Sequence, residues 1–183
     1  MSASSVLRLA LEREPTLGAG RLICIDGPAG SGKTTLAAGV AAIADDGVLV
    51  VHMDDLYPGW SGLPQVDAQL AGLLLPLARG TAGSYQRYDW VAGRLAETVT
   101  VDPTPLLVIE GVGSGAARFS DLVTGLVWVE APHDLRIRRG LERDGDVFAP
   151  HWEQWAQDET ALFAREQTRQ RADAVIDGTR TLT

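Results

Sequence analysis

Five short stretches of almost unbroken apolar residues punctuate the chain: Arg21 to Asp26 (RLICID), Val48 to His52 (VLVVH), Leu106 to Glu110 (LLVIE), Leu126 to Glu130 (LVWVE) and Ala174 to Ile176. Runs of this length without polar alternation predict strands buried on both faces, as in a parallel sheet covered by helices on each side. Between them the spacing turns helical. Lys33 to Ala44 is alanine-rich with high helix propensity, and Val66 to Arg79 has apolar residues at helical intervals, with Pro76 expected to end or kink it. Pro132 to Arg143 reads as a basic helix opened by proline and closed near Gly145. Within Pro150 to Arg171, the residues Trp152, Trp155, Ala156, Leu162 and Phe163 fall within about 120° of one helix face, a core-facing stripe. Near the N-terminus, Val6, Leu7, Leu9 and Ala10 suit a short amphipathic helix that docks on the domain. This alternation predicts a three-layer α/β fold around a parallel sheet of about five strands.

Length and charge narrow the picture. With 183 residues and no repeat, low-complexity tract or Pro/Gly-rich linker, the chain is expected to form a single domain over 1–183, with residues 1–20 as N-terminal helix and lead-in. Lys and Arg number 16 against 24 Asp and Glu, a net charge of −8, so the surface repels a nucleic-acid backbone and no nucleic-acid partner is expected. No apolar stretch reaches the roughly 18 to 20 residues that span a bilayer, and Ser2 to Glu14 lacks the features of a secretory signal. The single cysteine, Cys24, lies in an apolar run and reads as a buried small hydrophobe. Together these predict a cytoplasmic protein without membrane contact; a homo-oligomer is compatible with them.

Chemistry enters with Gly27 to Thr34, Gly-Pro-Ala-Gly-Ser-Gly-Lys-Thr, which leaves a predicted strand and opens a predicted helix. It is a full match to the phosphate-binding pattern G-x-x-x-x-G-K-[ST]. Its glycines, Gly27, Gly30 and Gly32, let the backbone N–H groups of the loop, those of Ala29 and Ser31 included, curl around phosphate oxygens, and the following helix adds its positive end. Lys33 is expected between the β- and γ-phosphates of ATP, the Thr34 hydroxyl on Mg²⁺, and Thr35 within reach of the α-phosphate. The motif alone does not choose among kinase, switch GTPase, motor and transporter ATPase. No guanine-reading Asn-Lys-x-Asp segment is present, nor the Ser-Gly-Gly signature of a transporter ATPase.

Two strand ends sharpen the choice. Val50 to Tyr57 reads Val-Val-His-Met-Asp-Asp-Leu-Tyr and delivers two acids to the carboxyl edge of the sheet, where open α/β sheets bind ligands. Phosphoryl transfer to an alcohol needs a carboxylate that takes the hydroxyl proton or holds the hydroxyl in line, and Asp54 is the candidate. Adjacent residues point oppositely, so Asp55 is expected to face away or to serve the Mg²⁺ shell. Glu110, at the end of the third run, suits a metal-site or water-holding group. His52, His133 and His151 are scattered and form no metal set.

These residues resemble the uridine-cytidine kinases and their phosphoribulokinase-like relatives over most of the chain, from about Arg21 to Gly178. Asp54-Asp55-Leu56-Tyr57 is similar to that family's Asp-Ser-Phe-Tyr segment, which implies a catalytic Asp54 and a nucleoside contact for Tyr57. Tyr88-Asp89-Trp90 resembles its Tyr-Asp-Phe segment and implies that Tyr88 and Trp90 line the acceptor pocket. Ile109-Glu110-Gly111 is similar to its Glu-Gly strand end near magnesium, and Arg171 to Ile176 to its Tyr-Ala-Asp-Val-Ile-Ile ending. Two departures bear on specificity. The family's pyrimidine-contacting His has no counterpart in Val91-Ala92-Gly93-Arg94, and its acidic pair is reduced to Val66-Asp67-Ala68, which leaves Asp67 as the ribose-hydroxyl ligand.

The basic segment Arg136 to Arg143, within residues 132–146, is the candidate helical lid whose arginines close over the transferring phosphate. Helical spacing groups Arg136, Arg139 and Arg143, whereas the family pattern selects Arg138 and Arg143. The sequence therefore predicts an ATP- and Mg²⁺-dependent small-molecule kinase of the P-loop fold. Its acceptor is read as a nucleoside, with another metabolite (pantothenate, a sugar or a nucleoside monophosphate) or a non-catalytic nucleotide-binding role as alternatives.

Overall fold

A computed structural model describes residues 2–44, 47–145 and 149–179. The helix α1 (Ala3–Leu11) buries Val6 and Ala10, and the chain then enters β1 (Arg21–Asp26), the phosphate loop and α2 (Lys33–Ile43). Next come β2 (Val48–His52), a short 3₁₀ turn at Met53–Asp55, α3 (Val66–Ala78), and the strands β3 (Gly83–Asp89), β4 (Arg94–Val101), β5 (Leu106–Glu110) and β6 (Gly125–Glu130). The C-terminal part adds α4 (His133–Asp144), α5 (Trp152–Glu166), α6 (Thr168–Arg171) and β7 (Ala174–Asp177). All five predicted strands are present and form one parallel sheet in the order β2-β5-β1-β6-β7.

Two cores flank that sheet, as alternate strand residues dictate. Ile23, Ile25, Val108, Val127 and Val129 pack with α1 and α2, while Leu22, Cys24, Leu107 and Ile109 face α3, Trp155 and Leu162. Cys24 is fully buried, and burial pushes its thiol pKa up. Helix α3 continues past Pro76 for only two residues, so the proline ends it within a turn. The long C-terminal helix is divided: Gln167, at φ +49°, closes α5 by donating its N–H to the Phe163 carbonyl, and α6 starts afterwards.

The antiparallel hairpin of β3 and β4 was not expected. Its burial is partial, so its residues alternate instead of forming an apolar run. Asp89 shapes its tip by accepting the Val91 and Ala92 N–H groups, both at 2.9 Å.

Two contacts fix the loops around the end of β1. Fully buried Asp26 accepts the N–H of Gly27 (2.7 Å), Gly113 (2.9 Å) and Gly115 (3.0 Å), which ties the segment after β5 to the start of the phosphate loop. Burial pushes its pKa up to about 6, against the pull of those three donors and of Lys33. The second contact is backbone against backbone. Gly30, at φ +75°, lies so near α4 that a Cβ there would sit 2.5 Å from the Arg136 carbonyl oxygen.

Asp26→Ala leaves three buried donors without an acceptor, and a loss of about 2–4 kcal/mol is expected in urea unfolding at neutral pH. Folding raises this carboxyl's pKa, so the native state binds the extra proton and the group's contribution declines as pH rises from about 4 to about 6. The destabilisation should thus be larger at about pH 4.5 than at neutral pH. Gly30→Ala is expected to cost more than Gly80→Ala by about 1–2 kcal/mol. Gly80 has nearly the same φ, +73°, but nothing within 4 Å of its added Cβ, so equal losses in the two variants would deny the α4 contact.

Candidate active site

Strand β1 hands the chain to a loop whose glycines turn it back on itself. Gly32 caps α2 in the left-handed region at φ +104°, leaving the first-turn N–H groups of α2 without helical partners and its positive end open. The Lys33 ammonium is buried, 7% exposed, and donates to the Pro28 carbonyl at 2.9 Å. Burial lowers its pKa, while Glu159, Glu110, Asp26 and Asp54 act in the opposite direction and favour the charge. This cradle suits a chain of phosphates.

A cavity of about 920 Å³ opens over it. Ala29, Gly30 and Gly32 to Thr35 line it from the phosphate loop, together with Asp54, Glu110 and Arg139, and the mutually packed Tyr57, Trp60, Trp90 and Trp155 give it an aromatic wall. Glu110 Oε1 accepts the Thr34 hydroxyl at 3.0 Å and lies 2.6 Å from His52 Nδ1. Burial alone raises the Glu110 pKa, but the bonds from His52 and Thr34 and the Lys33 charge outweigh it and hold the carboxyl below its ordinary value. The bond to Glu110 also raises the pKa of His52. Among the described residues, no three or more His, Cys, Asp or Glu are grouped so that they could hold a metal ion on their own. Magnesium in phosphoryl-transfer sites takes few protein ligands beside phosphates and waters, and the adjacent oxygens of Thr34 and Glu110 fit that demand.

In the aromatic wall, Trp60 stacks on His151 (4.7 Å, 11°) and meets the edges of Trp90 (4.9 Å) and Trp155 (6.1 Å). Tyr57 is fully buried; its ring meets Trp155 at 5.0 Å, and its hydroxyl donates to the Val112 carbonyl at 2.7 Å. Trp90 reaches across from the hairpin, and its indole N–H donates to the Asp54 carbonyl at 2.9 Å. The hairpin is thereby fastened to the segment that carries the candidate base.

Lys33, Thr34, Thr35, Asp54, Tyr57, Trp90, Glu110 and Arg139 are brought to one cavity, together with Ala29, Gly30 and Gly32. Gly27 and Ser31 lie beneath, Gly27 packed on the Val129 backbone and Ser31 fully buried. Asp55, Asp67, Tyr88 and Arg138 do not line the cavity. Asp55 acts electrostatically on Tyr85, Arg87 and His52, Tyr88 backs Trp90 at 5.0 Å, Asp67 sits in the first turn of α3, and Arg138 is exposed. The Arg143 side chain and residues 146–148 lie outside the described residues. Of the grouped arginines, Arg136 donates to the Ala29 carbonyl (3.2 Å), and Arg139 to those of Gly30 (3.2 Å) and Gly178 (3.0 Å).

Four further residues belong to the site: His52, Trp60, Trp155 and Glu159. Trp155 stood in the apolar stripe of α5 and is indeed core, yet its ring also borders the cavity. Glu159, one turn further on, is 5% exposed and accepts the Ala29 N–H at 2.6 Å and the Trp155 indole N–H at 3.0 Å. Burial raises its pKa against the pull of Lys33, these two donors and Arg136. Its sequence signal was an acid on the buried face of the helix, four residues after Trp155.

No family model and no curated protein sequence matches this chain. Solved structures do. The fold is similar to that of a possible uridine kinase from Bacillus stearothermophilus, with a TM-score of 0.66 and 22% identity, covering 96% of this chain and 97% of that one. It is also similar to a candidate fructose transport system kinase from Silicibacter sp. TM1040, with a TM-score of 0.61 and 19% identity, covering 96% and 99%. At these identities the likeness is one of architecture: over nearly its whole length the chain shares the three-layer α/β fold of these two structures, built here on a five-strand parallel sheet.

Proposed function

We propose that the protein is an ATP-dependent phosphotransferase that moves the γ-phosphate to a hydroxyl of a small uncharged acceptor, a nucleoside in the first instance. The observation that carries this reading is that Lys33 and Thr34 of the phosphate loop and Asp54 from the end of β2 border one cavity. In the reaction the acceptor oxygen bonds to the γ-phosphorus, the bond from that phosphorus to the β,γ-bridging oxygen breaks, and the hydroxyl proton passes to Asp54. Lys33 and the N–H groups opening α2 stabilise charge on the phosphates, and Arg139, which lines the cavity, is the described lid arginine nearest to joining them. Mg²⁺ would neutralise phosphate charge, with Thr34 and Glu110 as the residues that would hold it.

Charge narrows the acceptor. Among the described residues lining the cavity, the cations Lys33 and Arg139 both adjoin the phosphate loop, and the other charged residues are the acids Asp54 and Glu110. An acceptor with its own phosphate or carboxylate would be repelled by these acids and would compete with the nucleotide for the two cations. This favours a neutral nucleoside over a nucleoside monophosphate or pantothenate, and the aromatic side chains of the wall suit a base. The name of the Bacillus neighbour agrees with a nucleoside; that of the Silicibacter neighbour makes a neutral sugar the second reading. The retained loop without transfer, as in an accessory protein, is the remaining alternative.

Two measurements check these assignments. Asp54→Asn is expected to lower kcat by about 100-fold or more while the affinity for AMP-PNP stays within about threefold of native; undiminished turnover would remove Asp54 from the chemistry. In an ADP-release assay over a panel of acceptors, neutral nucleosides or sugars should stimulate turnover and their phosphorylated counterparts should not. Stimulation by the phosphorylated members would refute the uncharged acceptor, and tight ATP binding with no stimulation by any member would favour the accessory role.

A further inference from the structure

The Glu159 carboxylate bonds to two residues that line the cavity, Ala29 of the phosphate loop and Trp155 of the aromatic wall. It projects from the middle of α5 on the buried stripe made with Trp155, Leu162 and Glu166. A carboxylate so enclosed is costly unless paired, and its partners here are unusual in kind. One is the N–H of Ala29, a group of the phosphate loop, at 2.6 Å. Another is the indole N–H of Trp155, at 3.0 Å, whose ring stands in the aromatic wall against Tyr57 and Trp60. Both donate to the same oxygen, Oε1. The other oxygen lies 3.8 Å from Arg136, whose guanidinium also donates to the Ala29 carbonyl. The residue Ala29 is therefore held at its N–H by α5 and at its C=O by α4.

We propose that Glu159 is a positioning residue that links nucleotide occupancy of the phosphate loop to the placement of Trp155 in the acceptor wall. The inference rests on the loop's taking a nucleotide, as set out above, and adds a route between the two subsites. The physical reason is competition. Phosphate oxygens entering the loop bring negative charge to the donors and the ammonium that Glu159 already uses, namely the Ala29 N–H and the field of Lys33. Any adjustment of the carboxylate is felt at the Trp155 indole, because one oxygen serves both bonds. The link is reciprocal by thermodynamic necessity: a wall ordered by an acceptor would alter the loop's affinity for nucleotide.

The test uses the full chain labelled with ¹⁵N and AMP-PNP with Mg²⁺ as probe, reading the tryptophan indole N–H resonances by NMR. Trp155→Phe assigns the Trp155 signal. On saturation of the native protein the Trp155 resonance is expected to move by several linewidths. In Glu159→Gln, with saturation by AMP-PNP verified by calorimetry, most of the Trp155 shift should disappear, because the amide keeps an acceptor oxygen but loses the charge that responds to the phosphates. Equal Trp155 shifts in the two proteins would mean that the indole senses the nucleotide directly and would overturn the link. A stationary Trp155 resonance in the saturated native protein would overturn it without any variant. Failure of the native chain to bind AMP-PNP would overturn the nucleotide reading and the link together, and so is distinguishable from failure of the link alone.

Discussion

The buried ammonium of Lys33 is the constraint on which the site is built. A phosphate loop needs a fixed positive charge, yet an amine only 7% exposed is pushed towards its neutral form by loss of water. Glu159, Glu110, Asp26 and Asp54 supply the opposing field. Each of the three buried acids in turn needs partners, and those it has are structural joints. Asp26 gathers the N–H groups of two loops, Glu110 receives Thr34 and His52, and Glu159 receives Ala29 and Trp155. The acids that favour the charged form of the lysine are thus the same groups that fix the loop, the end of β5 and the aromatic wall.

Sheet order converts this charge cluster into a workplace. Strand β5 lies between β1 and β2, in register so that Glu110 pairs with Ile25 on one side and His52 on the other. The phosphate loop and the Asp54 segment therefore leave strands about 10 Å apart, two interstrand spacings, with Glu110 between them. The hairpin is tied to the Asp54 segment by the bond from the Trp90 indole to the Asp54 carbonyl.

The parts of this design that sequence revealed are those governed by local rules. The strands β1, β2, β5, β6 and β7 were legible because burial on both faces leaves uninterrupted apolar runs, and the phosphate loop because its glycines and lysine are set by backbone geometry at one turn. Asp54 followed from its place at a strand end. The hairpin was not legible, since strands such as Arg94–Val101 are half exposed and mix threonine, glutamate and valine. Its β-branched stretch Thr98-Val99-Thr100-Val101 is a strand signal of another kind, alternating instead of continuously apolar. Glu159 and Asp26 were hidden for a different reason: the bonds that join them to other loops come from partners more than 80 residues away along the chain.

The arginines of α4 show why residue type and spacing alone did not assign the lid. Four of them share one short basic helix, and the surroundings of the three whose side chains are described give each a different chemistry. Arg138 is exposed to solvent. Arg136 is paired with Glu159 and the Ala29 carbonyl, and its backbone abuts Gly30, so moving it means separating α4 from the loop. Among the described residues, Arg139 donates to the neutral carbonyls of Gly30 and Gly178 and lines the cavity. Charge-assisted bonds to anionic oxygens are roughly twice as strong as those to neutral acceptors. An anion in the cavity would therefore offer Arg139 a better acceptor than either carbonyl, whereas Arg136 would have to abandon a carboxylate to reach it. What distinguishes the two guanidinium groups is what each would have to give up.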